Sequence, residues 1–215
     1  MRRLHFHCAA LAALLMLLCG RPQALAPDST GAAGRGQPTP IAMLRSHDAA
    51  VRAILARSPN DSLSAESSAR IKHHINSTFD FRELSRLSLG TTWDELDKDE
   101  RAGFVEVFSG IIEEQNFDNF LRYYREGKIE YRKEEIDGTR AAASALVPLQ
   151  REEIGITYLL HREGDRWRVY DLVVDGASTA EGHRRRHARY IEKHSFEKLL
   201  LQLKKQLGRL ENKED

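Results

Sequence analysis

The stretch Trp167-Arg168-Val169-Tyr170-Asp171-Leu172-Val173-Val174-Asp175-Gly176-Ala177-Ser178 decides how this chain folds. It is dense in β-branched and aromatic residues, is stopped by an Asp-Gly pair suited to a tight turn, and is followed by a serine able to cap a helix. The run reads as a last strand that ends the sheet at Asp175-Gly176 and passes the chain to a polar helix from Ser178 to about Lys193. Its apolar residues fall on both parities, Val169 and Val173 opposing Tyr170, Leu172 and Val174. Such a strand is covered on both faces or covers a cavity on one. Asp171 is the carboxylate set inside the apolar run. A buried carboxyl group there can serve as a general acid or base, the competing role being a hydrogen-bonded structural or edge aspartate.

Three more strands precede it, over Lys128 to Ile136, Arg140 to Arg151 and Ile154 to Arg162. Asp137-Gly138 and Glu163-Gly164-Asp165 supply hairpin turns, so neighbours are expected to pair antiparallel. Further upstream the period changes to that of helices. Thr39-Pro40 opens one that carries Ile41, Leu44, Val51, Ile54 and Leu55 and closes at Pro59-Asn60. A second spans Ser64 to Ile75, and a third starts at Asp80 with Glu83 as capping-box partner and Leu84, Leu87 and Leu89 inward. Asp97 and Glu100 repeat the box before a long helical stretch with two stripes, Phe104, Phe108 and Ile111, then Phe117, Leu121 and Tyr124. The five-residue step from Ile112 to Phe117 breaks register and predicts a bend or break near Gln115-Asn116. A final helix from Ser195 carries Phe196, Leu199, Leu200, Leu203, Leu207 and Leu210 on one stripe. Helices, an antiparallel meander and closing helices make an α+β domain.

Of the 215 residues, 33 are Lys or Arg and 32 Asp or Glu. Met1 to Ala26 has a charged start, the apolar run Cys8 to Cys19 and an Ala24-Leu25-Ala26 site, the layout of a removable export signal. The rival reading is lipidation at Cys19, disfavoured by the bulky Leu18 before it. Removing Arg2, Arg3 and Arg21 with this segment leaves 30 cations against 32 anions, a net charge of −2. A near-neutral domain has no general attraction for nucleic acid. Both cysteines lie in the leader, which excludes disulfide and thiol chemistry from the rest. Residues 27–38, without a large apolar side chain, read as a flexible linker; the domain is expected over 39–210 and a disordered tail over 211–215.

Phosphate loops, zinc spacings and nucleophile motifs are absent, so no metal or cofactor is expected. His73 and His74 are adjacent and point apart on a helix. His183 and His187 have metal-compatible spacing but flank Arg184, Arg185 and Arg186, whose charge opposes a cation, so an exposed basic surface is the reading for this run. That surface suits anionic lipid headgroups or an acidic partner.

The Trp167 to Ser178 run resembles the W-x-V-Y-D-hydrophobic-x-V-[DE]-G-[VA]-S signature of the MlaC-type periplasmic phospholipid-binding proteins, the toluene-tolerance auxiliary components of an ABC lipid transport system. Phe79 to Trp93, with Leu89-Gly90-Thr91-Thr92-Trp93, is similar to that family's L-G-x-x-W helix-turn. Arg101, Phe104 and Phe108 fit its R-x-x-F-x-x-x-F. The likeness covers about Ile41 to Leu210. One departure is that Gly182-His183-Arg184-Arg185-Arg186-His187 stands where the family has N-Y-R-x-Q-F, so Arg184 matches while His183 and His187 replace aromatics.

The resemblance implies an NTF2-like fold, with N-terminal helices packed on a curved four-stranded antiparallel sheet and closing C-terminal helices around an apolar pocket. It implies a monomeric, non-enzymatic periplasmic carrier of phospholipid, working between an outer-membrane lipoprotein complex and the substrate-capturing subunit of an inner-membrane ABC transporter. Phe104, Phe108, Ile111, Ile112, Tyr158, Leu160, Tyr170, Leu172 and Val174 are the candidate lipid contacts, and Arg184, Arg185 and Arg186 the candidate headgroup or partner contacts. A sixteen-carbon chain loses about 12 kcal/mol on entering water, so a soluble carrier needs a dry pocket toward the upper end of about 300 to 1,000 Å³. The alternatives are an NTF2-like enzyme using Asp171 on a small hydrophobic substrate, and an interaction protein using the basic helix.

Overall fold

A computed structural model describes residues 37–58 and 63–212. The expected leader, Cys19, most of the linker, Pro59-Asn60 and residues 213–215 lie outside the described residues. Four helices and a one-turn segment come first: α1 (Pro40–Leu55), α2 (Ala65–Asn76), α3 (Phe81–Leu89), α4 (Thr92–Glu95) and α5 (Lys98–Glu126). The sheet follows as β1 (Glu130–Asp137), β2 (Arg140–Pro148), β3 (Glu153–Glu163), β4 (Arg166–Val174) and β5 (Ala177–Ser178). Helices α6 (Thr179–Lys193) and α7 (Phe196–Glu211) complete the chain. No helix among the described residues is long and apolar enough to cross a membrane.

Local chemistry places the helix starts. Thr39, Ser64, Asp80, Asp97, Ser178 and Ser195 each accept a backbone N–H of the first turn, satisfying a donor that the helix itself cannot. The Asp97–Glu100 box is reciprocal. At α3 it is half formed, because the Glu83 carboxylate turns to Arg86, 2.7 Å away.

The sheet has five strands in the order β1-β2-β3-β4-β5, all antiparallel, so the α+β class holds and the four-strand count is corrected. Asp175-Gly176 does not end the sheet. Asp175 and Gly176 have φ of 48° and 82°, the paired positive values of a type I′ hairpin turn. The turn folds Ala177-Ser178 back onto Val174-Val173.

A β-bulge at Tyr170 explains why β4 looks apolar on both parities. Leu159 pairs with Asp171 and Leu160 with Val169, leaving Tyr170 as the extra residue. Because β3 buries Ile156, Tyr158 and Leu160 on one face, the pairs Leu160–Val169, Tyr158–Leu172 and Ile156–Val174 put Val169, Leu172 and Val174 on that same face. The pattern of two covered faces is thus one covered face with a bulge in its middle.

Two cores result. One joins the inner face of the sheet to α1, α2 and the C-terminal half of α5. The other is helical, formed by α3, α4, α6, α7 and the N-terminal half of α5. Helix α5 is continuous over 29 residues, so the expected break is absent. Its register step is instead the handover from Phe104, Phe108, Ile111 and Ile112 in the helical core to Phe117, Leu121 and Tyr124 in the sheet core. Gly110 lets α7 approach, since a Cβ there would stand 3.0 Å from Leu207.

Candidate functional site

A cavity of about 280 Å³ opens where the two cores meet. Its apolar wall comes from Phe79, Phe81 and Leu84 around the start of α3, Ile112 and Phe120 on α5, and Ile156, Leu172 and Val174 on the sheet. Its polar lining comes from Asn76, Glu113, Gln115, Asn116 and Asn119, with Thr179 and His183 from α6. The residues that interrupt the apolar stripes of α5, Glu113, Gln115 and Asn116, therefore line the cavity. The signal was present in the sequence as a gap between Ile112 and Phe117, and only the handover between cores gives it meaning.

Of the candidate lipid contacts, Ile112, Leu172 and Val174 line this cavity. Tyr158 lines a smaller neighbouring space of about 30 Å³, separated from the first by Phe79 and Phe120, which face both. Leu160 is fully buried in the sheet core. Phe104, Phe108 and Ile111 lie in the helical core. Tyr170, carried outward by the bulge, lies under the Arg140 guanidinium at 5.5 Å and beside His161. Phe79, Phe81, Leu84, Phe120 and Ile156 line the cavity and were not among the candidates, since nothing in a single helix or strand pattern reports which elements converge.

Asp171 stands at the cavity edge, 4% exposed. Both its oxygens are engaged: Oδ2 accepts the Ser178 hydroxyl at 2.6 Å and Oδ1 accepts the Ala180 N–H at 2.9 Å. It clamps the end of β4 to the first turn of α6, across the hairpin turn that lies between them. At the border of the sheet core, half-buried Asp48 accepts the hydroxyls of Tyr124 (2.6 Å) and Tyr131 (2.8 Å). Burial raises its pKa, and the two tyrosine bonds lower it in part.

The basic run divides by helix face. Arg184, Arg185 and Arg186 are exposed, Arg184 and Arg185 pairing with Glu181 and Arg186 with His183 Nδ1 at 2.9 Å. The Arg184 stem covers Gly90, whose φ of 60° disfavours a larger residue. The two histidines correct the expectation of an exposed surface, because they turn inward. His187 is 4% exposed, and its ring meets Phe104 and Phe108 edge-on at 5.7 and 5.4 Å. His183 meets Phe108 at 4.8 Å. Both rings pack on the phenylalanines of α5. Among the described residues no group of His, Cys, Asp and Glu is placed to hold a metal.

A carbonyl only accepts, so the His187 Nδ1 that lies 3.0 Å from the Ser88 oxygen carries the proton. Burial pushes the His187 imidazole down to about 4 and that of His183 down to about 3. Unfolded histidine titrates near 6.5, so between these values the unfolded chain binds more protons and stability falls as pH drops. Denaturant unfolding is expected to lose roughly 2 kcal/mol through His187 between about pH 7 and about pH 4.5. His187→Phe should flatten that part of the slope; an unchanged slope in the variant would refute the assignment.

These features define a class, an α+β domain with an antiparallel sheet and a cavity lined by both apolar and polar side chains. Residues 46–205 match the family model for MlaC protein, and the chain belongs to the MlaC family. It is also similar to the solved structure of a phospholipid-binding protein from Ralstonia solanacearum in complex with a phospholipid. The TM-score is 0.69 at 17% identity, covering 79% of this chain and 97% of that one, a likeness of fold. No curated protein matches the chain.

Proposed function

We propose that this protein is a periplasmic phospholipid carrier of NTF2-like build, without catalytic activity, that shuttles lipid between an outer-membrane lipoprotein complex and the substrate-capturing subunit of an inner-membrane ABC transporter. The observation that carries the reading is the cavity itself, lined by both apolar and polar side chains, in a chain of the MlaC family. An amphipathic ligand fits such a site with its chains inward and its headgroup at the rim. The acyl chains contact Ile112, Leu172 and Val174 in this reading, while Phe104, Phe108, Ile111, Tyr158 and Leu160 back the wall from within the cores. The exposed arginines 184 to 186 of α6 face an acidic partner or the headgroups of a membrane, where each cation contributes about 1 kcal/mol.

At about 280 Å³ the cavity sits at the lower edge of the usual range for ligand pockets, about 300 to 1,000 Å³, so a diacyl lipid enters only if the walls part. Phe79 and Phe120, between the larger and smaller spaces, are the side chains whose rotation joins them. Native mass spectrometry of the purified protein is expected to show one phospholipid per chain. Leu172→Glu, which places a carboxylate in the apolar wall, is expected to lower that occupancy about tenfold or more while the domain still folds. A lipid-free native protein that also extracts none from vesicles would sink the proposal.

A further inference from the structure

Between α5, α6 and α7 lies another cavity, of about 370 Å³, separated from the first by Gln115 and His183, which stand in both walls. Its floor is made of buried apolar side chains, Phe108 and Ile111 from α5 and Leu199 and Leu203 from α7. Gln115, Arg186 and Gln202 form its exposed margin, with Tyr190 and Gln206 half-buried between margin and floor.

One polar side chain belongs to the floor. His187 is buried, and its Nδ1–H is spent on the Ser88 carbonyl. A proton on Nδ1 of a neutral imidazole leaves Nε2 as an acceptor. That nitrogen takes no hydrogen bond among the described residues, nor is it sealed off by protein. In a ring so deeply buried, the space it opens to is the cavity that the ring lines. Burial lowers the imidazole pKa to about 4, so near neutral pH the group is an uncharged acceptor. Such an acceptor offers nothing to an anion, and a metal ion would find a single nitrogen beside the Arg186 guanidinium.

The ligand that completes this floor is neutral and apolar and donates one hydrogen bond. We propose that the cavity is a second binding site, for a small molecule of the phenol class, with its ring on Phe108, Leu199 and Leu203 and its hydroxyl donating to His187 Nε2. The volume falls within the range of small-molecule pockets, about 300 to 1,000 Å³. The inference goes beyond the carrier reading and does not depend on it, since no acyl chain takes part.

The test titrates the purified chain with phenol and, separately, with benzene, following the methyl signals of Leu199 and Leu203 and the ring nitrogens of His187 by NMR. Phenol is expected to bind about fivefold to tenfold more tightly than benzene, the scale of one hydrogen bond. It should also shift His187 Nε2, which benzene leaves in place. His187→Phe keeps an aromatic ring against Phe104 and Phe108 and should make the two affinities equal. Equal affinities in the unmodified protein overturn the inference, as does a phenol shift confined to Leu172 and Val174 of the first cavity. Absence of binding also overturns it, leaving the acceptor to water. If His187→Phe does not fold, the nitrogen shift in the unmodified protein decides alone.

Discussion

Phe108→Ala is expected to lower the unfolding free energy by about 3 to 5 kcal/mol while leaving lipid occupancy per folded chain unchanged. Phe108 is 1% exposed, and its ring lies 5.3 Å from Phe104, 4.8 Å from His183 and 5.4 Å from His187. Together with Phe104 it makes the ring contacts through which α5 meets α6. The elements around it are held by other contacts, α6 through Asp171 and Arg184 and α7 through Gly110 and Leu207, so they cannot collapse freely into the space left behind. The cost is then the lost burial plus a largely unrelaxed cavity. Denaturant titration measures the first quantity and native mass spectrometry the second. A variant of native stability that has lost its lipid would move Phe108 from the core to the ligand wall.

Asp171→Ala is expected to cost about 3 kcal/mol. Two donors lose their acceptor at once, and the Ala180 N–H sits in the first turn of α6, where the helix offers it no partner. The carboxylate also lies at the positive end of that helix, an attraction that the substitution removes. Asp171→Asn keeps one acceptor and the shape of the side chain, and the Ser178 hydroxyl can rotate to accept from the new amide. Its cost should be lower, about 1 to 2 kcal/mol. Thermal and chemical denaturation of the three proteins should rank them native, Asn, Ala. Equal stability of all three would refute the clamp; a stable Asn variant that lost turnover of a small hydrophobic substrate would favour the acid or base role.

Much of the fold was legible in the sequence because its signals are local. A threonine, serine or aspartate at a helix start acts on an N–H two or three residues away, and Asp137-Gly138 or Glu163-Gly164-Asp165 turns the chain within its own span. Those interactions need no distant partner, so six of the seven helical elements, the four long strands and the α+β order follow from them; the uncapped single turn α4 does not. The cavity was half legible. Ile112, Leu172 and Val174 could be picked as apolar residues on elements that ought to converge, and the gap after Ile112 marked where α5 changes neighbours.

The rest depended on partners far away in the chain. Whether Tyr170 faces inward is set by a bulge in the pairing of β4 with β3, and one extra residue there reverses the parity of everything after it. Whether Asp171 is a reactive group or a clamp is set by Ser178 and Ala180, brought within reach by the positive φ angles of Asp175 and Gly176. Whether His183 and His187 join the arginines on the surface is set by Phe104 and Phe108, some eighty residues earlier. By itself the sequence determined the elements, their order and the family motifs. Only the tertiary structure decided which faces meet, because register and burial arise between segments and no single segment carries them.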